Sequence, residues 1–224
     1  CGLTGLKVSK GYLPTDGIYP LSHTLDTPGP MARSVADVAL MLAVLRGTEG
    51  WAIDQDLQNG HGLFAFHGAG VQGLKLGILD DSERQVCDAE MLKNYDAAVD
   101  ILASLGAQIA VFNAPKCYCD LADANGAITI FEGYGYHKAL YEVAQNPMDE
   151  DVRKRMLAGR GMTAESHALN LSQKTDTQDQ FRAAMIGFDA LLTPTVAQAE
   201  PKLSDIDQDI STGHFTRPFN YLDM

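Results

Sequence analysis

A strand, a helix and a second strand follow one another in the middle of the chain, and this order constrains the fold more than any other feature. Residues alternate from Leu74 to Leu79 as in a strand, and a second strand-like apolar run extends from Ile109 to Phe112. Apolar residues repeat at helical spacing from about Ala89 until Gly106 ends the pattern. Two strands joined by a helix are typical of a parallel sheet with a right-handed crossover. We therefore predict that Leu74–Leu79 and Ile109–Phe112 are parallel neighbours.

Further helices and one more strand are predicted on either side of this unit. Ser34 is a favourable N-cap for an apolar helix that Gly47 ends, and the apolar residues around this helix predict burial on several sides. Residues 10–31 and 51–73 are typical of loops. The other predictions are a helix over 118–143, a helix pair over 149–172 interrupted around Gly159 and Gly161, a polar-faced helix over 176–186, and a short buried strand over 188–193.

Composition favours one globular domain and argues against two classes of partner. The chain has 224 residues, 46% of them apolar, which is enough to bury a sizeable core. No linker or repeat divides it, so we predict a single domain over residues 1–224. Its predicted fold class is α/β, with a mixed, mostly parallel β-sheet flanked by helices. The net charge of −12 disfavours nucleic acids and anionic membranes, which are bound through clustered Lys and Arg.

Cysteines and histidines suggest neither disulfides nor a metal site. The cysteines are Cys1, Cys87, Cys117 and Cys119, and in a chain of this size they predict structural thiols in a reducing compartment. Cys117-Tyr118-Cys119 has the wrong spacing for a zinc knuckle and alternates as a strand does, and His61 and His67 have no further ligand pair beside them. No leader and no apolar run of about 18 residues is present, which favours a cytoplasmic protein.

Five patches of the sequence carry a resemblance to a known family. They are Cys1-Gly2-Leu3-Thr4-Gly5-Leu6-Lys7 with Pro20 to Asp37, Phe131 to His137, Asp151 to Gly159, Phe188 to Thr195, and Thr216 to Asn220. In order and spacing, these patches resemble the amidase signature family of serine hydrolases. The resemblance implies an α/β fold and cleavage of a C–N amide bond through an acyl-enzyme. It also implies ester cleavage as a side activity, and no cofactor.

The resemblance implies three catalytic groups, and none of them maps onto this chain. They are a Lys, a Ser held by a cis peptide, and a nucleophilic Ser that lies a few residues before the position of Cys1. We therefore expect the central-to-C-terminal part of an amidase-signature fold, without amidase activity of its own. Ser22-His23 near Asp26 and Ser166-His167 beside Glu165 offer other Ser and His groups. Because neighbours in sequence seldom point at one reacting atom, we assign no catalytic residue.

Five candidate substrate contacts lie in a loop and in an aromatic helix. Thr24, Asp26 and Thr27 follow the family's nucleophile strand and offer hydroxyl and carboxylate groups. The same groups are equally suited to capping the amides of their own loop. Tyr134 and Tyr136 are candidates for lining an acyl or amine pocket, with core packing as the alternative role.

Arg153 and Arg155 are candidates for an anion clamp. Members of the resembled family that act on carboxylate-bearing substrates use an Arg from about this region. A guanidinium suits this role because it binds a carboxylate through two parallel hydrogen bonds. The alternative is a solvated basic helix face, and the sequence does not say which of the two residues points inward.

Two alternatives to a portion of an amidase stay open. One is a naturally truncated amidase or esterase with a relocated nucleophile, and the other is a non-catalytic binding or assembly subunit of amidotransferase type. The predicted partners are a small-molecule amide or ester substrate, together with either a second copy in a homodimer or the remainder of the amidase domain. Missing strands would leave Leu3, Leu6 and Phe219 at an open edge, which favours such association.

Overall fold

The computed structural model describes residues 2–65, 68–207 and 212–224, which form two compact units. The first unit comprises residues 1–19 and 26–71 with the last residue, and the second comprises residues 20–25 and 72–223. That the whole chain behaves as a single domain stays a prediction.

The first unit contains a short strand pair and two helices. Its elements are β1 (Thr4–Gly5), β2 (Met31–Ala32), α1 (Val35–Leu45), α2 (Gly50–Asn59) and a 3₁₀ turn (Gly62–Phe64). The strands β1 and β2 pair in antiparallel fashion. Ser34 caps α1, since its side chain accepts a hydrogen bond from the backbone N–H of Asp37 at 3.1 Å. The predicted bounds of this helix are confirmed.

The predicted burial of α1 on several sides is wrong. Only Val38, Leu42 and Ala43 of this helix are buried, whereas the side chains of Val35 and Val44 are 65% and 60% exposed. The buried residues are separated by four positions and by one, which places them on one face of the helix. The apolar residues on the other faces are exposed.

The predicted loop over residues 51–73 is also wrong in its first half, where α2 forms instead. Ile53 is the buried residue of this helix, and it packs against Ala43 and Phe64 in a small core. Gly60 ends the helix in the left-handed conformation with a φ of 62°. A single buried apolar side chain in ten residues leaves little periodic signal, which explains why the pattern did not indicate a helix.

The second unit is centred on a three-stranded parallel sheet. Its strands are β3 (Lys75–Leu79), β4 (Gln108–Phe112) and β5 (Ala190–Leu191), in the order β4-β3-β5, and both pairs are parallel. After the short helix α3 (Asp81–Arg84), the helix α4 (Ala89–Ser104) connects β3 to β4. The predicted strand, crossover helix and parallel neighbour are therefore confirmed, whereas β5 is shorter than the predicted strand over 188–193.

Four further helices complete the second unit. They are α5 (Tyr118–Glu142), α6 (Glu150–Leu157), α7 (Ala164–Ala184) and α8 (Arg217–Leu222), with a 3₁₀ turn over Ala158–Gly161. The predicted helical segment over 118–143 is confirmed, with a kink at His137, where the backbone is non-helical (φ −123°, ψ 22°). The interruption around Gly159 and Gly161 is confirmed as well. The predicted separation of a helix over 176–186 is wrong, since α7 continues without a break to Ala184.

The core of the second unit lies between the sheet and these helices. Leu121 and Ile128 of α5 and Phe181 of α7 are fully buried in one apolar cluster that includes Leu79 and Phe112 of the sheet. A parallel sheet flanked by helices is the predicted α/β class, which is confirmed. Among the helices in the described part of the chain, none combines the length and the apolar character needed to cross a bilayer.

The central strand requires glycine at residue 77, and replacement by alanine tests this packing. A Cβ atom there would lie 2.5 Å from Leu191 Cδ2 and 3.0 Å from Phe112 Cβ. We expect Gly77→Ala to lower the free energy of unfolding by about 1–3 kcal/mol, the usual cost of overpacking a core. Gly135→Ala is the control, since a Cβ there meets nothing within 4 Å and alanine favours a helix. Equal denaturant midpoints for Gly77→Ala and the unmodified protein would contradict this account.

Candidate functional site

Residues of α5, α6 and the segment before α8 line a cavity of about 680 Å³ in the second unit. Its apolar lining includes Ala127, Ile130, Met162 and Ile206. Among the described residues, its charged lining consists of two cations and three carboxylates: Arg155, Arg217, Asp123, Asp205 and Asp207. A concave site with a partly apolar wall and a few converging charged groups suits a small polar molecule.

The two arginines bring positive charge to the same cavity. Arg155 lies on α6 and Arg217 begins α8, so only the tertiary fold brings them together. Burial lowers the pKa of Arg217, and the positive charge of Arg155 lowers it further, whereas Asp123 acts in the opposite direction. A partly desolvated guanidinium beside a second one favours an anion at this position.

Arg153, the other candidate for the clamp, is occupied elsewhere. Its guanidinium is buried and donates to the backbone carbonyls of Tyr141 and Val143, each at 2.9 Å, and to that of Asn146 at 2.6 Å. Its Nε donates to Glu150 at 3.0 Å. These carbonyls lie at and just after the end of α5, where a helix has no partners of its own for them. The side chain therefore fastens the end of α5.

Glycine at residue 159 allows the segment after α6 to lie directly on α5. A Cβ atom at this position would lie 2.6 Å from Tyr134 Cβ and 2.8 Å from the carbonyl oxygen of Ile130. Both neighbours belong to the body of a helix and have little room to move. Arg155 lines the cavity, and Gly159, four residues later, lets the same segment pack closely against α5.

The two candidate tyrosines do not line this cavity. The hydroxyl of Tyr134 donates to Glu142 at 2.6 Å on the same helix. The side chain of Tyr136 is 48% exposed, and its ring meets the ring of His23 edge-on with centroids 6.2 Å apart. A role for either in binding substrate stays a prediction.

A buried carboxylate, Glu132 of α5, organises the segment 20–25. Ser22 Oγ donates to Glu132 Oε2, and the backbone N–H of Thr24 donates to the same oxygen at 3.1 Å. Thr24 Oγ1 donates to Oε1 at 2.6 Å. Nε2 of His23 and Nε2 of His167 each lie 3.3 Å from Oε1. Thr24, a predicted substrate contact, is therefore engaged with this carboxylate.

Hydrogen bonds keep Glu132 ionised despite its burial. Burial by itself raises the pKa of this carboxyl group, but the bonds from Ser22 and Thr24, helped by His23, outweigh it and hold the pKa below its ordinary value. The ring of His167 stacks on Phe131 with centroids 4.1 Å apart, so it is held against the carboxylate. The cluster is a network around one charge, and among the described residues Nδ1 of His167 finds no hydrogen-bond partner.

This cluster does not form a serine triad, although it contains Ser and His. Ser22 is 1% exposed, and its hydroxyl donates to the carboxylate of Glu132. A nucleophilic Ser instead needs a His to accept its proton and access to the substrate. Thr163 is the N-cap of α7, and the hydroxyl of Ser166 donates to the carbonyl of Thr163 in the same capping box, so Ser166 and His167 do not form a catalytic pair.

The remaining candidates lie in the first unit. Asp26 and Thr27 are both partly buried, and the backbone carbonyl of Asp26 accepts a hydrogen bond from Lys10 Nζ at 2.9 Å. Their binding of substrate stays a prediction. Of the two histidines weighed as metal ligands, His61 precedes the 3₁₀ turn and His67 lies outside the described residues.

Comparison with known proteins identifies the family. A family model described as Amidase matches residues 1–224, the whole chain. The chain belongs to the amidase family. The resemblance predicted from the five sequence patches is thereby confirmed, and the chain is an amidase-family hydrolase sequence.

Curated relatives of this amidase chain are about twice as long. The 2-amino-5-chloromuconic acid deaminase of Comamonas testosteroni is 32% identical over 210 residues, which cover 92% of this chain and 42% of the relative. A glutamyl-tRNA(Gln) amidotransferase subunit of Alkaliphilus metalliredigens (strain QYMF) is 26% identical over 223 residues, which cover 87% of this chain and 45% of the relative. The chain thus spans a little less than half the length of these two relatives.

Solved structures show the same fold in the amidase chain. A crystal structure of an amidase superposes with a TM-score of 0.81 at 23% identity, and the match covers 99% of this chain and 49% of the other. Fatty acid amide hydrolase superposes with a TM-score of 0.73 at 19% identity, covering 98% of this chain and 39% of the other. At these identities the likeness concerns the fold.

Proposed function

We propose that this chain is the substrate-binding portion of a hydrolase that cleaves a C–N amide bond in a small, carboxylate-bearing molecule. The observation that carries the proposal is the position of Arg155 and Arg217 on one cavity. Two guanidinium groups at a partly apolar wall offer donors for a carboxylate in bidentate geometry. The reacting amide would lie beside this anchor, and its cleavage would consume water and release an amine or ammonia.

The acidic residues of the cavity sharpen the proposed substrate class. Asp205 and Asp207 line the same cavity as the two arginines. Burial lowers the pKa of Arg217, and the negative charge of Asp123 partly offsets this lowering. A molecule that carries both a carboxylate and an amino or amide group would match this mixture of charges. The name of the relative from Comamonas testosteroni supports this class, because its substrate is an amino-substituted acid.

A second candidate is the binding or assembly subunit of an amidotransferase. The observation that favours it is the match over 223 residues to the amidotransferase subunit from Alkaliphilus metalliredigens. In this case the same anion site would serve a protein that acts only together with its partner subunits. A naturally truncated hydrolase with a relocated nucleophile has less support, since Ser22 is buried and bonded to a carboxylate.

Replacement of Arg155 tests the proposed carboxylate site. In the protein that carries this chain, we expect Arg155→Ala to raise KM for succinamate by about 10- to 150-fold, the equivalent of a lost hydrogen bond to a charged group worth ~1.5–3 kcal/mol. The KM for butyramide, which lacks the carboxylate, should change little. The measurement is ammonia release over a range of each amide. Arg155 is exposed, so the fold should persist in the variant.

Arg160→Ala is the matched control for this experiment. Arg160 lies five residues further along, is 61% exposed and pairs with Glu142 at 3.2 Å, and it does not line the cavity. Removing it should leave both amides unaffected. If the unmodified protein hydrolyses butyramide as well as succinamate, and Arg155→Ala does the same, the anion site is overturned but the proposed hydrolase activity is not. Absence of any amide hydrolysis without added subunits would favour the amidotransferase candidate.

The exposed apolar residues and the free thiols bear on the partner of this chain and on its cellular location. Val35 and Val44 on α1 are exposed, and such apolar side chains suit association with the remainder of an amidase domain, with a second copy as the other candidate partner. The free state of Cys87, Cys117 and Cys119 supports a cytoplasmic location, because a reducing compartment keeps thiols unpaired.

A further inference from the structure

Two exposed cysteines stand together where α5 begins. The prediction that Cys117-Tyr118-Cys119 alternates as a strand is wrong: Cys117 is the N-cap of α5, and its Sγ accepts a hydrogen bond from the backbone N–H of Asp120 at 3.4 Å. Cys119 lies in the first turn of the same helix. Both thiols are free and exposed, in contrast with Cys87, which is buried in the core.

These two thiols and a carboxylate form a compact group of metal ligands. The Sγ atoms of Cys117 and Cys119 and a carboxylate oxygen of Asp120 all lie within 4.8 Å of one another. Cys119 Sγ donates to Asp120 Oδ1 at 3.8 Å, so the second thiol and the carboxylate are already in contact. Ligand atoms around a tetrahedral zinc ion are separated by about 3.5–3.8 Å, so small rotations of exposed side chains close the group around an ion.

The backbone that carries this group is firmly held. Tyr118, between the two cysteines, is 2% exposed, and its backbone N–H donates to Glu83 Oε1 at 2.7 Å. Its ring packs edge-on against Phe215 with centroids 6.1 Å apart. The buried tyrosine therefore fixes the start of the helix and leaves both thiols on its outer side. A site on a rigid element loses less entropy when it binds an ion.

We propose that Cys117, Cys119 and Asp120 bind a zinc ion at the surface of the second unit. Thiolate ligands select zinc and other thiophilic ions over magnesium or calcium, which prefer oxygen ligands only. Three protein ligands leave the fourth tetrahedral position open to water or to a group from another molecule. The site is separate from the residues that line the cavity and does not depend on the proposed hydrolysis.

Zinc titration of the protein that carries this chain, kept reduced, tests the proposal by calorimetry. We expect one equivalent to bind. Asp120→Asn should weaken binding about tenfold, comparable to the loss of a group that supports a metal ligand. The double variant Cys117→Ser with Cys119→Ser should lose the site altogether. Serine is a favourable N-cap, so this variant should keep α5 intact, and an unchanged melting temperature verifies that.

The matched control removes the third thiol. Cys87→Ala should bind one equivalent of zinc with unchanged affinity, because Cys87 is buried in the core and is not one of the grouped ligands. Titration with Cd²⁺ supplies a second readout, since a thiolate-to-metal absorption band should appear in the unmodified protein and in Cys87→Ala. Absence of stoichiometric binding to the unmodified protein, or equal affinity in the double serine variant, would overturn the proposal.

Discussion

Glu132→Ala is expected to lower the free energy of unfolding by about 3–5 kcal/mol, a larger effect than that of any other substitution proposed for this chain. The carboxylate is almost fully buried, and it accepts hydrogen bonds from Ser22 and from both the backbone and the side chain of Thr24. Removing it leaves these buried donors without an acceptor, and each such group costs about 1–3 kcal/mol. Denaturant unfolding of the two proteins measures the difference.

The control for Glu132 is another carboxylate on the same helix. Glu142 accepts a hydrogen bond from Tyr134 and pairs with Arg160, but its side chain is 31% exposed. Glu142→Ala should therefore lower the free energy of unfolding far less than Glu132→Ala does, because exposed ion pairs contribute little to stability. Similar losses for the two variants would show that the network around Glu132 has no special importance for stability.

Acid should remove the stabilisation that Glu132 provides. Folding holds the pKa of this carboxyl group below its ordinary value of 4.5. The contribution is then fully present above pH 4.5 and is lost as the pH falls through the lowered pKa. The stability of the unmodified protein should fall more steeply below pH 4.5 than that of Glu132→Ala, so the two curves approach each other in acid. Curves that stay parallel would contradict this assignment.

The network around Glu132 shows where prediction from sequence ends. The carboxylate stands in one of the motifs that carry the family resemblance, and an acid within an apolar helical stretch indicates a buried partner. Its partners Ser22 and Thr24, however, precede it by 110 and 108 residues. No local pattern connects such distant segments. The strands β3 and β4 were predictable because alternation and helical spacing are local properties, and a crossover helix allows few arrangements.

The errors in the predicted helices have a related cause. The apolar residues of α1 predicted a helix correctly. Periodicity does not say which apolar faces become buried, however, and Val35 and Val44 stay exposed. In α7, polar residues obscured the pattern near its middle. The capping box between Thr163 and Ser166 and the burial of Phe181 nevertheless stabilise one continuous helix.

The two arginines of α6 could not be distinguished from sequence either. Residues two positions apart lie about 200° apart around a helix, so Arg153 and Arg155 point to nearly opposite sides. The side of α6 that carries Arg153 faces the end of α5, and the side that carries Arg155 faces the cavity. Arg217 lies in one of the five sequence patches but was not a candidate site residue, and it joins the cavity because α8 packs against α5.

Arg153→Ala is expected to lower the free energy of unfolding by about 2–4 kcal/mol, whereas Arg155→Ala should change it by less than about 0.5 kcal/mol. The guanidinium of Arg153 is the donor for the carbonyls of Tyr141, Val143 and Asn146. Truncation removes these hydrogen bonds at the end of α5, and the bond to the carbonyl of Tyr141 is buried. Arg155, by contrast, is exposed.

Arg153→Lys distinguishes hydrogen-bond geometry from charge at this position. A lysine keeps the positive charge, but its single ammonium group does not span carbonyls that the planar guanidinium reaches from two nitrogens. We expect it to recover less than half of the stability that Arg153→Ala loses, measured by denaturant unfolding alongside Arg155→Lys. Hydrogen exchange should be faster at the end of α5 in both Arg153 variants. Full recovery by lysine would mean that charge alone matters there, and equal losses at residues 153 and 155 would refute the division of roles between the two arginines.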